Sequence, residues 1–70
     1  MNKKLHLLRC IVNSNHSLSE ELYNAEVYIK ENKISCPIVY VEDIVIKQWF
    51  IYLYKNKEWI LLDKGELIDE

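Results

Sequence analysis

The chain has 70 residues, of which 50% are hydrophobic and 29% charged, and its formal net charge is −2. This length indicates one domain, residues 1–70, and the composition excludes an intrinsically disordered chain. The mildly acidic balance argues against a general nucleic-acid binder, which needs a basic surface.

The sequence predicts a cytoplasmic protein with two free thiols. No window approaches the roughly 18 apolar residues of a membrane helix, and His6 and Arg9 interrupt the apolar stretch that a signal peptide would need. In a reducing cytosol Cys10 and Cys36 are expected to stay unpaired. Together with His6 and His16 they lack the local spacing of zinc ligands, so no metal site is predicted.

The first predicted element is a short strand at residues 5–12, "LHLLRCIV". Alternate residues of a strand point to opposite faces, so Leu7, Arg9 and Ile11 would share one face and Leu8 would lie on the other. The polar run "NSNHS" that follows is typical of a loop.

A helix is predicted at residues 18–32. Ser17 and Glu20 have the spacing of a capping box, in which the Ser17 hydroxyl accepts a hydrogen bond from the Glu20 backbone N–H. Asn32 is a candidate for the left-handed residue that ends the helix. One apolar face follows the 3.6-residue period and consists of Leu18, Leu22, Ala25 and Ile29.

Tyr23 and Val27 form a candidate secondary patch on the other side of this helix. They are four residues apart and therefore meet on the helix surface. The alternative is that they are scattered surface apolar residues, which are common in proteins.

From Pro37 onward the chain is rich in Val, Ile, Tyr, Phe and Trp, which favour strands. The run is too long for one strand, and the break falls at Glu42–Asp43 or at Lys47–Gln48. A hairpin turn is predicted at Asn56–Lys57, because Asn tolerates a positive φ. The acidic residues 63–70 are a candidate disordered tail.

These elements predict an α+β fold in β-α-β-β-(β) order, with one amphipathic helix packed on one face of a small antiparallel sheet. Pairing Tyr54 with Trp59, and further along Ile51 with Leu62, gives the hairpin two apolar faces. We expect the aliphatic face to pack against the helix: Val45, Trp49, Ile51, Leu53, Ile60 and Leu62. The aromatic face would then be left bare by the helix: Ile44, Ile46, Phe50, Tyr52, Tyr54, Trp59 and Leu61. Its predicted interface residues are Phe50, Tyr52, Tyr54, Trp59 and Leu61.

A bare aromatic face would expose about 600 Å², as much as the largest patch on a typical monomer. We therefore expect a cover: a second copy, with a dimer favoured, another protein, or the N-terminal segment folded across. The predicted function is a small non-enzymatic interaction module, such as an inhibitor, adaptor or regulatory subunit. The abundance of Ile, Lys and Asn suggests a bacterial or phage source.

The sequence offers no catalytic or cofactor motif. A single glycine excludes a glycine-rich phosphate loop, and the adjacent Glu42 and Asp43 would point to opposite strand faces rather than converge on a substrate. Single-stranded nucleic acid stacking on the aromatic face is the alternative function. It is less favoured because Lys47, Lys55 and Lys57 are the only nearby cations.

Overall fold

The computed structural model describes residues 6–68, which form one helix and one four-stranded sheet. The strands lie side by side in chain order. The predicted α+β fold and element order are confirmed. The elements are β1 (His6–Val12), α1 (Leu18–Glu31), β2 (Pro37–Asp43), β3 (Gln48–Lys55) and β4 (Glu58–Glu66).

The sheet is mixed, and not antiparallel throughout as predicted, because β1 joins it in parallel. The helix α1 connects β1 to β2 as a crossover, so these two strands run in the same direction. The pairs β2–β3 and β3–β4 are antiparallel and are joined by short turns, as predicted. The helix packs against β1 and β2.

The helix begins with the predicted Ser17 cap and ends at Glu31, one residue earlier than predicted. The Glu20 N–H donates to the Ser17 hydroxyl over 3.2 Å, while the Glu20 carboxylate lies 3.1 Å from Nδ1 of His16. Asn32 has φ −99° and its side-chain amide donates to the Tyr28 carbonyl. The left-handed residue is Lys33, with φ 51°, so its prediction at Asn32 is wrong.

Both candidate strand breaks mark ends of one turn. The strand β2 ends at Asp43 and β3 begins at Gln48. The Asp43 carboxylate accepts hydrogen bonds from the backbone N–H of Val45 over 3.0 Å and of Ile46 over 3.3 Å. The Asp43 side chain therefore fixes the start of the four-residue turn. Ile44, Val45 and Ile46 lie in this turn, so their predicted places on the two sheet faces are wrong.

The β3–β4 hairpin turns at Asn56 and Lys57, as predicted, with φ 53° and 64°. Two positive φ values are the signature of the primed type I turn, which matches the twist of a hairpin. The predicted pairing of Tyr54 with Trp59 is confirmed.

A β-bulge shifts the register further along β4. Ile51 pairs with Asp63, so its predicted pairing with Leu62 is wrong. Leu62 is the extra residue that a bulge leaves without a partner. The strand then runs to Glu66, so residues 63–66 of the predicted tail belong to the sheet. Leu5, Asp69 and Glu70 lie outside the described residues.

The core lies between α1 and the centre of the sheet. Val39 and Val41 of β2 are completely buried. Partly buried side chains from the helix and from β1, β3 and β4 pack around this centre, together with Ile34. The buried apolar residues are Val12, Ala25, Ile29, Val39 and Val41.

Candidate functional site

The aromatic face lies on the helix side of the sheet. Tyr52 pairs with the buried Val39, and Phe50 pairs with the buried Val41. Directly paired residues share a sheet face, so the aromatic residues lie on the same side as α1. The prediction that the aliphatic face packs against the helix is therefore wrong, because the buried valines of β2 align with the aromatic residues of β3.

The aromatic rings form a chain beside the helix. The ring centroids of Tyr54 and Trp59 are 4.7 Å apart, and the Tyr52 and Trp59 rings meet edge to face. Four of the five predicted interface residues, all except Leu61, pack against the buried core and remain partly exposed. A binding role for the aromatic face stays a prediction.

Tyr54 also joins the hairpin to the helix. Its hydroxyl donates to a carboxylate oxygen of Glu26 over 2.6 Å. This hydrogen bond raises the pKa of Tyr54, because only the protonated phenol can donate. The contact holds the outer part of the aromatic face against the helix.

The opposite side of the sheet, which we call the open face, is formed by three cross-strand rows. The helix of residues 6–68 lies on the other side, and no element of these residues packs across the open face. The apolar row is Leu7, Ile38, Leu53 and Ile60; the charged row is Arg9, Tyr40, Ile51 and Asp63; the tryptophan row is Ile11, Glu42, Trp49 and Gly65.

The apolar row is aliphatic from one sheet edge to the other. Its end residues are the most accessible: Leu7 is 68% exposed and Ile60 is 40% exposed. In an antiparallel sheet with one solvated face, such positions normally carry polar residues. An uninterrupted aliphatic row facing outward is therefore unusual for a sheet with no further contacts.

The charged row has opposite charges at its two ends. Arg9 donates from Nε to a Glu42 carboxylate oxygen over 3.1 Å, and its Nη2 donates to the same oxygen. The guanidinium lies 5.9 Å from the centre of the Tyr40 ring, a cation–π arrangement. Hydrogen bonding and charge from Glu42 raise the pKa of Arg9. Asp63, at the far end, accepts a hydrogen bond from the backbone N–H of Lys64.

The tryptophan row explains the position of the only glycine. A Cβ atom at Gly65 would lie 2.7 Å from Nε1 of Trp49, and still closer to its ring carbons. The indole therefore lies against the backbone of β4. The ring centroid of Tyr40 is 6.3 Å from that of Trp49, so the two rows are in contact.

The predicted secondary patch is only partly formed. Tyr23 is exposed on α1, whereas Val27 is partly buried. Whether the pair binds anything stays a prediction.

An open cleft of about 280 Å³ lies between α1 and β1 and contains Cys10, Glu21 and Tyr28. Burial raises the pKa of the Cys10 thiol, which disfavours the nucleophilic thiolate. Cys10 and Cys36 are both free, as predicted.

Two kinds of feature are absent from residues 6–68. No cluster of His, Cys, Asp and Glu in this part of the chain could hold a metal ion. No helix there is long and apolar enough to cross a membrane.

Comparison with known protein families, with curated proteins and with solved structures finds no match to this chain.

Proposed function

We propose that this chain is a small, non-enzymatic, cytoplasmic protein-interaction module that binds a protein partner through the open face. The supporting observation is the outward-facing apolar row beside the paired Tyr40 and Trp49 rings, without cover among residues 6–68. In a two-layer α+β domain one sheet face packs against the helix, here α1, and the other face is normally polar. The apolar residues of the open face are therefore not required by this fold.

The size of the open face supports this proposal. Strands about 4.8 Å apart and rows about 6.7 Å apart make the face roughly 20 Å across in each direction, or about 400 Å² in projection. The largest apolar patch of a typical monomer is about 300–600 Å² and is often functional. A face of this size, in which the charged residues are Arg9, Glu42 and Asp63, fits protein binding.

The aromatic face is the second candidate surface, and its contacts favour protein over nucleic acid. Rings that stack bases need free faces and nearby cations. Tyr54 and Trp59 pack on each other, and the Glu26 carboxylate lies against the Tyr54 hydroxyl. A carboxylate at this place would repel a phosphate backbone.

Adjacent residues of β4 provide a matched test of the two faces. Ile60 lies on the open face and Leu61 on the helix side, and their side chains are 40% and 47% exposed. A photo-crosslinking amino acid is placed at one position or the other in the full chain in its source cell. We expect protein cross-links, to any partner including the chain itself, from position 60 and not from position 61.

Cross-links from position 61 alone would move the binding surface to the aromatic face. An absence of cross-links from both positions, with both variants folded by circular dichroism, would contradict the proposed function.

A further inference from the structure

We infer that the partner on the open face is a second copy of this chain, packed face to face about a twofold axis parallel to the strands. This inference rests on the proposed function and names the occupant of the same surface. It follows from the order of charges along the charged row and from the area available.

The charged row is complementary to itself when one copy is turned over. It begins with Arg9 on the edge strand β1 and ends with Asp63 on the opposite edge strand β4. A twofold axis parallel to the strands places β1 of one copy over β4 of the other. Arg9 then faces Asp63 of the partner subunit, and the reciprocal pair forms at the other edge, as an isologous interface requires.

The same operation matches the apolar parts of the face. Ile38 lies over Leu53 of the partner subunit, so the apolar row packs on its own copy. Packed sheets are about 10 Å apart, which lets the long Arg9 side chain reach across. Arg9 would then lie between its own Glu42 and Asp63 of the partner subunit.

The other face-to-face arrangement is disfavoured by charge. A twofold axis perpendicular to the strands would place β1 over β1, and Arg9 would face Arg9 of the partner subunit. Like charges brought together at an interface cost affinity. The charged row therefore selects both the occupant and the direction of the axis.

The available area indicates a dimer of moderate affinity. About 400 Å² in projection, increased by side-chain relief, corresponds to roughly 1,000 Å² buried over both copies, near the lower limit for a specific interface. We expect association at micromolar concentration. Proteins with such interfaces exchange subunits readily, which makes a mixing experiment practical.

The test uses two charge reversals, Arg9→Glu and Asp63→Arg, with native mass spectrometry and sedimentation. Each variant alone would face like charges at both edges, so we expect its dimer to be weakened about tenfold or more. In an equimolar mixture the reversed charges become complementary, and we expect heterodimers to predominate. Lys64→Glu is the control, because Lys64 pairs with Phe50 on the helix side and should leave dimerisation unchanged.

The mixing result separates an intermolecular effect from a folding defect. Arg9→Glu also removes the ion pair with Glu42, so Asp63→Arg provides a second, independent variant. A wild-type chain that is monomeric at about 100 µM would overturn the dimer, whereas cross-links from position 60 to another protein would still support the proposed function. The proposed arrangement would be overturned if the mixture of Arg9→Glu and Asp63→Arg chains showed no preference for heterodimers. It would also be overturned if Lys64→Glu weakened the dimer and the two charge reversals did not.

Discussion

At the scale of single residues, the Tyr54–Glu26 hydrogen bond is one contact through which alkaline pH acts on the fold. The hydrogen bond to Glu26 raises the pKa of Tyr54 above its ordinary value. A group with a raised folded-state pKa stabilises the fold fully below its ordinary pKa, here about 10. That stabilisation is lost as the pH rises through the raised value.

We therefore predict that Tyr54→Phe makes the free energy of unfolding less dependent on pH above about 10. Urea denaturation over an alkaline pH series measures this. Part of the dependence will remain, because burial also raises the pKa of Tyr52. Tyr23→Phe, at an exposed position on α1, should keep the wild-type dependence. Identical alkaline curves for Tyr54→Phe and wild type would contradict the prediction.

At the scale of elements, the β2–β3 turn depends on one carboxylate. Asp43 accepts hydrogen bonds from two backbone N–H groups of the turn. We predict that Asp43→Ala lowers the free energy of unfolding by roughly 1 kcal/mol. Asp43→Asn should retain most of the wild-type free energy of unfolding, because the asparagine side-chain oxygen still accepts both hydrogen bonds. Chemical denaturation measures the free energy of unfolding of both variants. Equal losses in the two would show that the hydrogen bonds to the residue 43 side chain do not stabilise the turn.

The elements that sequence reasoning located correctly depend on local chemistry. The Ser17 cap and the Asn56–Lys57 turn each involve residues a few positions apart, and the structure confirms both. The bulge at Leu62 was missed because nothing in the sequence around it demands an extra residue. Local signals therefore predicted where the elements begin and turn, but not the register beyond the hairpin.

The choice of sheet face was missed because it depends on contacts distant in sequence. The alternation of residues in the hairpin alone gives two apolar faces and does not show which of them packs against the helix. The deciding information is in β1 and β2, where Arg9 and Glu42 share the outward side and Val39 and Val41 share the inward side. Following these charged residues across the strands would have identified Ile51 and its neighbours as the open face.

At the scale of the whole molecule, the buried core is small for an independent domain. The hydrophobic core of the described residues consists of five buried side chains, of which only Val39 and Val41 are completely buried. A 70-residue chain buries a limited share of its surface in any case. Association through the open face would add buried apolar area to this core. Folding and assembly would then be thermodynamically linked.

We predict that the melting temperature rises with protein concentration, by about 3–5 °C for each tenfold increase. Differential scanning calorimetry over two decades of concentration measures this. Ile60→Asp should give a melting temperature independent of concentration, whereas Leu61→Asp should retain the rise. A wild-type melting temperature that does not change with concentration would show that folding does not require assembly.

The bulge at Leu62 also determines how this sheet could grow. As an edge strand, β4 presents backbone groups that a strand from another molecule could pair with. The extra residue interrupts the two-residue repeat of the backbone N–H and C=O groups along β4. A strand added at this edge would therefore lose its hydrogen-bonding register about halfway along β4. Fibril formation by successive strand addition is thereby opposed at this edge, and a protein with so apolar a face is protected there against amyloid.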